Sequence, residues 1–480
     1  MFWFFWLLLA LFVIYIVDLI IVLVLENRDP HKTIAWILVI VFIPVFGILA
    51  YLWAGENIKQ KFYSWKLRRV KYTKIINRIV AAQKIFLHNI RLPLELKKKR
   101  HTLYLALQST EYPFSKNNSV EILNNGTSFF PSLFEEVQRA RDHIHLEFYI
   151  FRDDETTKNL VNALINKAKE GVKVRVLLDG FGSHKFISHY KKTLKKNNIE
   201  LGIFLPVQIT ILQNKINYRN HRKIAIIDGK TAFIGGMNIG DEYYGKGKYD
   251  FWRDTQIKIS GPSVYSLQTI FIRDWFFATK QDIYDYKLYP KLKDKGNVIL
   301  HIAPSGPDTK WENLKLIFFS MITTSEKRLY IETPYFVPDE SVLLAIKSTA
   351  LKGVDTRIII PETPDVPFYK LVNLTFVPEL LDAGVKVYSY AKGKNSVLHT
   401  KMLISDNISS VGSTNMDTRG LSINFEVNAI IFDAKVTEKL VKTFFDDLKD
   451  CRELTKEDFA KQNKLTKFKY SLARLLSPLL

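Results

Sequence analysis

The chain opens on two long apolar runs and then changes character. Phe2–Leu25 is apolar throughout except at Asp18, and 34–54 is a second apolar run of similar length. Each exceeds the roughly 18 residues that a helix needs to cross a hydrocarbon core. Both are apolar around the whole helical circumference, unlike the one-sided stripe of a surface helix in a water-soluble domain. The eight residues between them are polar and include Pro30, so the pattern predicts a helical hairpin with spans at 2–25 and 34–54. A cleaved leader would begin with basic residues and run into a polar mature chain. This chain begins Met1-Phe2-Trp3-Phe4, and a second apolar run follows. Asp18 costs about 2.5–3.5 kcal/mol at a helix centre and is expected to face the partner helix.

From about His101 the pattern becomes that of a layered α/β protein: short aliphatic runs of strand length alternate with Lys-containing amphipathic segments. The pattern is duplicated. Ile144-His145-Leu146-Glu147-Phe148-Tyr149 runs into Asp153-Asp154-Glu155, and Leu329-Tyr330-Ile331-Glu332-Thr333-Pro334-Tyr335 runs into Asp339-Glu340. Each reads as a buried strand entering an acidic loop. Tyr149 and Tyr335, which follow that strand in each copy, could line the entrance to a site, but core packing is the expectation for both. A second aliphatic strand follows in each copy, Val172–Leu178 and Val354–Ile360. The stretch 256–298, aromatic and charged without a strong strand pattern, reads as a connection.

The third repeated element carries the chemistry. His221-Arg222-Lys223 is followed by Asp228 and Asn238, and His399-Thr400-Lys401 by Asp406 and Asn415. Both have the form HxKxxxxD, with His-to-Asn spacings of 17 and 16. One such motif in a Lys-rich chain is weak, but two at matching places in a repeat are specific. His and Lys two apart on a strand share a face and can reach one ligand. Two such pairs converging make a cationic pocket for a phosphate, with Asn238 and Asn415 as neutral donors. One imidazole can attack phosphorus while the other protonates the departing alkoxide. An acid behind each histidine would orient it; the candidates are Asp254, 33 residues after His221, and Glu426, 27 after His399. The pocket offers cations and amides rather than clustered carboxylates, so no metal and no cofactor are called for.

Charge and composition add the setting. Hydrophobic residues at 47% and charged residues at 24% exclude wholesale disorder. The single cysteine, Cys451, excludes a disulfide framework. With 69 Lys+Arg against 48 Asp+Glu, the net charge of +21 calls for an anionic partner. Seven of those cations, Lys59 to Lys74, follow directly on the second apolar run, whereas the turn at 26–33 is balanced. The positive-inside rule therefore places the bulk of the chain and both termini in the cytoplasm, with Trp3, Trp6, Tyr51 and Trp53 at one interface. The basic stretch 59–100 is expected against anionic headgroups or as a solvated linker.

The paired motifs resemble those of the phospholipase D superfamily. With the hairpin carrying Pro30 and Trp36, the segment Tyr218-Arg219-Asn220-His221-Arg222-Lys223, the run Glu332–Glu340 and the ending Ser477-Pro478-Leu479-Leu480, the chain resembles the bacterial cardiolipin synthases of that superfamily over nearly its whole length. The resemblance implies two tandem α/β/α layered halves forming a pseudo-twofold catalytic domain, preceded by the two-helix transmembrane hairpin. Its segments would be 1–58 hairpin, 59–118 basic membrane-proximal, 119–255 first half, 256–298 connection, 299–450 second half and 451–480 basic amphipathic tail. It implies His221, Lys223, Asp228, His399, Lys401 and Asp406 as the catalytic set, the two aspartates supporting from behind. It implies a phosphohistidine route from two phosphatidylglycerols to cardiolipin and glycerol, with His221 as nucleophile and His399 as acid and then base. A hydrolase with water as acceptor shares every motif. A nuclease does not need a two-span anchor, so nucleic acid is not an expected partner.

Overall fold

The computed structural model describes residues 2–25, 30–43, 46–47, 51, 81, 99–207, 217–292, 295–393, 395–460 and 462–476. Phe2–Leu25 is one helix of 24 residues and Pro30–Phe42 a second of 13. They meet where Phe12, Ile16 and Trp36 pack against Ile40 and Tyr51. Among the described residues there is no pair of helices long and apolar enough to cross a membrane as a hairpin. The second helix, at 13 residues, extends only about 20 Å against a core of about 30 Å. The rest of the span expected at 34–54, the basic stretch to 98, the side chain of Asp18 and Ser477–Leu480 lie outside the described residues.

Among the described residues the repeat folds into one continuous sheet of fifteen strands. The first copy supplies β1 (Phe114–Asn124), β2 (His143–Phe148), β3 (Lys173–Asp179), β4 (Glu200–Phe204), β5 (Ile224–Ile227), β6 (Thr231–Gly235), β7 (Phe251–Arg253) and β8 (Thr255–Ser260). The second supplies β9 (Val298–Ser305), β10 (Arg328–Glu332), β11 (Phe336–Val337), β12 (Asp355–Pro361), β13 (Lys386–Tyr390), β14 (Ser396–Leu398), β15 (Met402–Ser405), β16 (Ile408–Gly412), β17 (Met416–Asp417), β18 (Glu426–Phe432) and β19 (Cys451–Leu454). Outward from the junction the order is β1-β8-β6-β5-β2-β3-β4 on one side and β9-β18-β16-β15-β10-β12-β13-β19 on the other. The two halves are thus the same fold related by a pseudo-twofold axis, joined where β1 pairs antiparallel with β9.

Local sequence explains the repeated parts. Strands β2, β5, β10 and β15 lie inside a sheet with helices on both faces, so β5 and β15 are apolar on both sides, while β2 and β10 alternate apolar with polar residues and still bury both faces. The crossover helices Glu155–Lys169 and Glu340–Leu351 make the parallel pairs β2/β3 and β10/β12 possible. The repeated acidic loops are their N-caps: Asp154 accepts from Thr157 N at 3.1 Å and Asp339 from Val342 N at 2.9 Å. Gly171 and Gly353, at φ +91° and +86°, end the same two helices in the left-handed conformation that a side chain disfavours.

The segment boundaries shift from those read in the sequence. The stretch 256–298, read as a connection, holds most of β8 and the helix Ser263–Thr279, both packed into the first half. The membrane-proximal stretch 59–118 ends in the helix Arg100–Thr110 and the start of β1, which also belong to the folded domain. The tail 451–480 begins as edge strand β19, antiparallel to β13. Strands β8 and β19, of six and four residues, carry too few residues to show a period of their own. Pairing to distant strands is what makes β8 and β19 regular.

Candidate active site

Each HxK segment leads into the strand beside the repeated acidic strand of its own half: His221–Lys223 enter β5, and His399–Lys401 enter β15. Just before those strands the backbone pairs with the opposite half. His221 N donates to Phe425 O at 2.9 Å, and His399 N donates to Arg253 O at 2.7 Å. The short strands β7 and β14 run parallel as part of the same exchange. The residue after each of those carbonyls is an acid. As a result His221 Nδ1 lies 2.9 Å from Glu426 Oε1, and His399 Nδ1 lies 2.7 Å from Asp254 Oδ2.

Asp254 and Glu426 are therefore the acids behind the histidines, but the pairing is crossed. The sequence named both acids by their distance after the histidine of the same half and did not assign either to a ring. Backbone pairing between the halves gives each acid to the histidine of the other half. With Nδ1 facing a carboxylate, each ring carries its proton there and turns Nε2 outward. The two acids are held differently. The Ser413 hydroxyl donates to Glu426 Oε2, whereas the matching Gly236 has no side chain because a Cβ there would run into the Asp254 carboxylate. The Gly-Gly and Gly-Ser variants of the repeated motif thus fit a short acid on one side and a long one on the other.

The remaining motif residues separate by role. Lys223 Nζ donates to His221 O at 2.7 Å, and Lys401 Nζ donates to His399 O and lies 2.8 Å from its Nδ1. Asp228 and Asp406, grouped with the catalytic set from sequence, sit at the far ends of β5 and β15 and do not line the pocket. Both are left-handed, at φ +52° and +53°. Asp228 accepts the backbone N–H groups of Arg141, Asp142 and His143 at 2.8 to 3.1 Å, and Asp406 those of Glu326, Lys327 and Arg328. Each ties down the loop before the acidic strand, and Asp406 also pairs with Lys99 at 2.9 Å.

His221 and His399 line one cavity of about 530 Å³, together with Asn238 and Asn415. Asn238 is already engaged, accepting from Ile150 N and donating to Tyr243. Asn415 Oδ1 is buried without a hydrogen-bond partner. Four cations, Arg152, Arg219, Lys248 and Arg419, also reach the cavity wall. Tyr149 and Tyr335, expected in the core, line it too: Tyr149 stands edge-on to His221 at 5.2 Å, and Tyr335 stacks on Tyr369 at 3.8 Å. The segment before His221 is pinned by residues the sequence did not single out. Asp179 accepts from Asn220 N at 3.0 Å, and Glu147 from Asn220 Nδ2 at 2.7 Å. Their presence in the repeated strands was the available signal. Among the described residues no group of three or more His, Cys, Asp or Glu converges to hold a metal ion.

Electrostatics follow from enclosure. Burial lowers His221 to about 4, against the pull of Glu426, and lowers His399 as well, with Lys401 adding to the effect and Asp254 opposing it. Burial also brings Lys401 to about 8 and Lys223 well below its ordinary value. The imidazoles on the cavity wall are thus neutral, and the softened ammonium groups of Lys223 and Lys401 stand behind them, outside the lining, on the histidine carbonyls. An arriving phosphodiester anion favours the protonated form of every one of them.

A family model described as "Cardiolipin synthase, PLD-like domain" matches residues 133–275 and 318–448, once in each half, and "Phospholipase_D-nuclease N-terminal" matches 5–56. Fold and pocket are accordingly those of a duplicated phospholipase D-like enzyme. Cardiolipin synthase of Geobacillus kaustophilus is 40% identical over 472 residues, covering 97% of this chain and 92% of that protein. Major cardiolipin synthase ClsA of Bacillus subtilis is 39% identical over 481 residues, covering 98% of each. The chain belongs to the cardiolipin synthase family. The crystal structure of phosphatidylserine synthase from Haemophilus influenzae, 16% identical, shares the fold with a TM-score of 0.61, covering 80% of this chain and all of that one.

Proposed function

We propose that the enzyme moves a phosphatidyl group from one phosphatidylglycerol to a second, giving cardiolipin and glycerol. The observation that carries this is the pair of imidazoles, each backed at Nδ1 by a carboxylate from the opposite half, lining a single cavity. His221 Nε2 attacks phosphorus and forms a P–N bond. The P–O bond to glycerol breaks, and the departing alkoxide takes the proton that His399 Nε2 acquires when the phosphodiester anion enters the pocket. A primary hydroxyl of the second phosphatidylglycerol then gives its proton to His399 and attacks phosphorus, releasing neutral His221. Glu426 stabilises the positive charge on His221 in the intermediate, and Asp254 does the same for protonated His399. Lys223, Lys401 and Asn415 serve the phosphate oxygens. Asp228 and Asp406 act only through the backbone they hold.

The apolar runs near the N-terminus and the basic stretch after them support a membrane-associated location with the catalytic domain at the cytoplasmic face. A membrane-held pocket favours a lipid hydroxyl over water as acceptor. The test is purified full chain in vesicles of labelled phosphatidylglycerol with a chelator present, lipids resolved by thin-layer chromatography. Cardiolipin and glycerol, both lost in His221→Ala and in His399→Ala, are expected. Phosphatidic acid as the main product would instead make the enzyme a hydrolase.

A further inference from the structure

The helix Lys464–Leu476 packs on the domain with its apolar face turned away from it. Leu465, Phe468, Leu472 and Leu475 follow one another at intervals of three, four and three residues, so they form one stripe. Their exposures are 62, 65, 47 and 75%. The face against the protein is the poorer one: Ala473 is buried, while Thr466 and Tyr470 are half-buried. Polar contacts fix that orientation. Arg474 donates to Thr375 O at 3.2 Å, pairs with Glu379 at 2.6 Å and lies over the Phe376 ring. An amphipathic helix clamped with its apolar stripe outward has been placed for a partner outside the domain.

The charge of the helix selects among the partners. Its thirteen residues hold Lys464, Lys467, Lys469 and Arg474 and no acid, and the side chains of Lys464 and Lys469 are exposed on either flank of the stripe. A second copy of the chain would bring the same basic helix and a net charge of +21. The chain's own segment 52–98 carries twelve Lys and Arg against two Glu. Both would repel it. Exposed leucines and a phenylalanine between lysines, by contrast, suit a helix lying in the plane of an anionic lipid interface. The helix also stands beside the pocket, since it packs on Phe368–Thr375, whose Tyr369 lines the cavity, as do Asp365 and Val366 just before it.

We propose that the Leu465–Leu475 stripe is a second membrane contact, separate from the N-terminal helices, that lays the cavity mouth against an anionic bilayer. It holds whichever alcohol or water completes the reaction in the pocket. The test uses full-length protein with Cys451→Ser and a single new cysteine, Phe468→Cys, Leu472→Cys or, as a control on an exposed helix of the first half, Lys195→Cys. Each carries an environment-sensitive fluorophore and is reconstituted in phosphatidylcholine vesicles with or without phosphatidic acid. Nitroxide-labelled acyl chains are expected to quench the probes at 468 and 472 severalfold more than the probe at 195, and more strongly with phosphatidic acid present. Adding Lys464→Glu and Lys469→Glu is expected to remove that gain. Probes at 468 and 472 as open to aqueous iodide as the control would overturn the proposal by showing a bare face. Probes shielded from both quenchers would overturn it by showing a face covered by protein.

Discussion

Glu426→Gln separates the crossed arrangement from pairing within each half. The amide keeps the size of the side chain and can still accept from His221 Nδ1, but the negative charge 2.9 Å from that nitrogen is gone. A hydrogen bond to a charged partner is worth about 1.5–3 kcal/mol, against about 1 for a neutral one. Two buried unit charges near 4 Å attract by about 4 kcal/mol at an effective dielectric of 20. Taking about 2 kcal/mol for the part lost when the ring becomes cationic, transfer slows roughly 30-fold. Asp254→Asn slows it by a similar factor through His399, so rate alone does not tell which acid serves which ring. Site-resolved acylation by diethylpyrocarbonate, followed by mass spectrometry, does. Nucleophilicity of His221 is expected to fall in Glu426→Gln with His399 unaffected, and the reverse is expected in Asp254→Asn. If Glu426→Gln instead slows modification of His399 and leaves His221 unchanged, the crossed arrangement is wrong.

Three further outcomes follow from the same geometry. His221 at about 4 and His301, lowered by burial to about 3, are both neutral in the fold, while an unfolded chain binds protons on them below about 6.5. Stability present at neutral pH is therefore lost as pH falls from about 6.5 toward 4, by about 3 kcal/mol from His221 alone; a urea midpoint no lower at pH 4.5 than at pH 7 contradicts this. Asp228→Ala removes the acceptor of three backbone N–H groups and leaves a Cβ at a left-handed φ, costing about 3 kcal/mol. It is expected to lower Tm by several degrees with activity per folded molecule nearly kept, and full stability with lost activity would make Asp228 catalytic after all. Gly236→Ser places a Cβ against the Asp254 carboxylate and should cost more activity than Ser413→Gly, which removes one hydroxyl bond from Glu426 and slows transfer about tenfold; equal losses would count against the distinction.

The duplication could be read directly because each copy repeats its local requirements. Asp154 and Asp339 cap equivalent helices, Gly171 and Gly353 end them, and His and Lys stand two apart just before β5 and β15. Caps, left-handed glycines and strand periodicity are set by neighbours within a few residues, so sequence alone determines them, and with them the α/β class and the phosphate-handling residues. The extent of each half was less legible. Strand β8 and the helix Ser263–Thr279 are too short or too mixed to announce themselves, and only pairing with β1 and β6 makes β8 a strand.

The site was decided by tertiary structure at the points where its two halves meet. Asp254 and Glu426 could be chosen as acids from their places in the repeat, yet which histidine each serves depends on backbone bonds from His221 to Phe425 and from His399 to Arg253, across 204 and 146 residues of chain. Tyr149 and Tyr335 have the composition of core residues, and only the gap between the halves turns them into cavity wall. The same holds for the helix at Lys464–Leu476. Its stripe is visible in sequence, but its direction is set by Arg474 gripping Glu379 and Thr375. Local patterns fix what each segment can be, because their energies come from adjacent residues. Contacts between segments fix which groups meet, because those energies exist only once the halves have closed on each other.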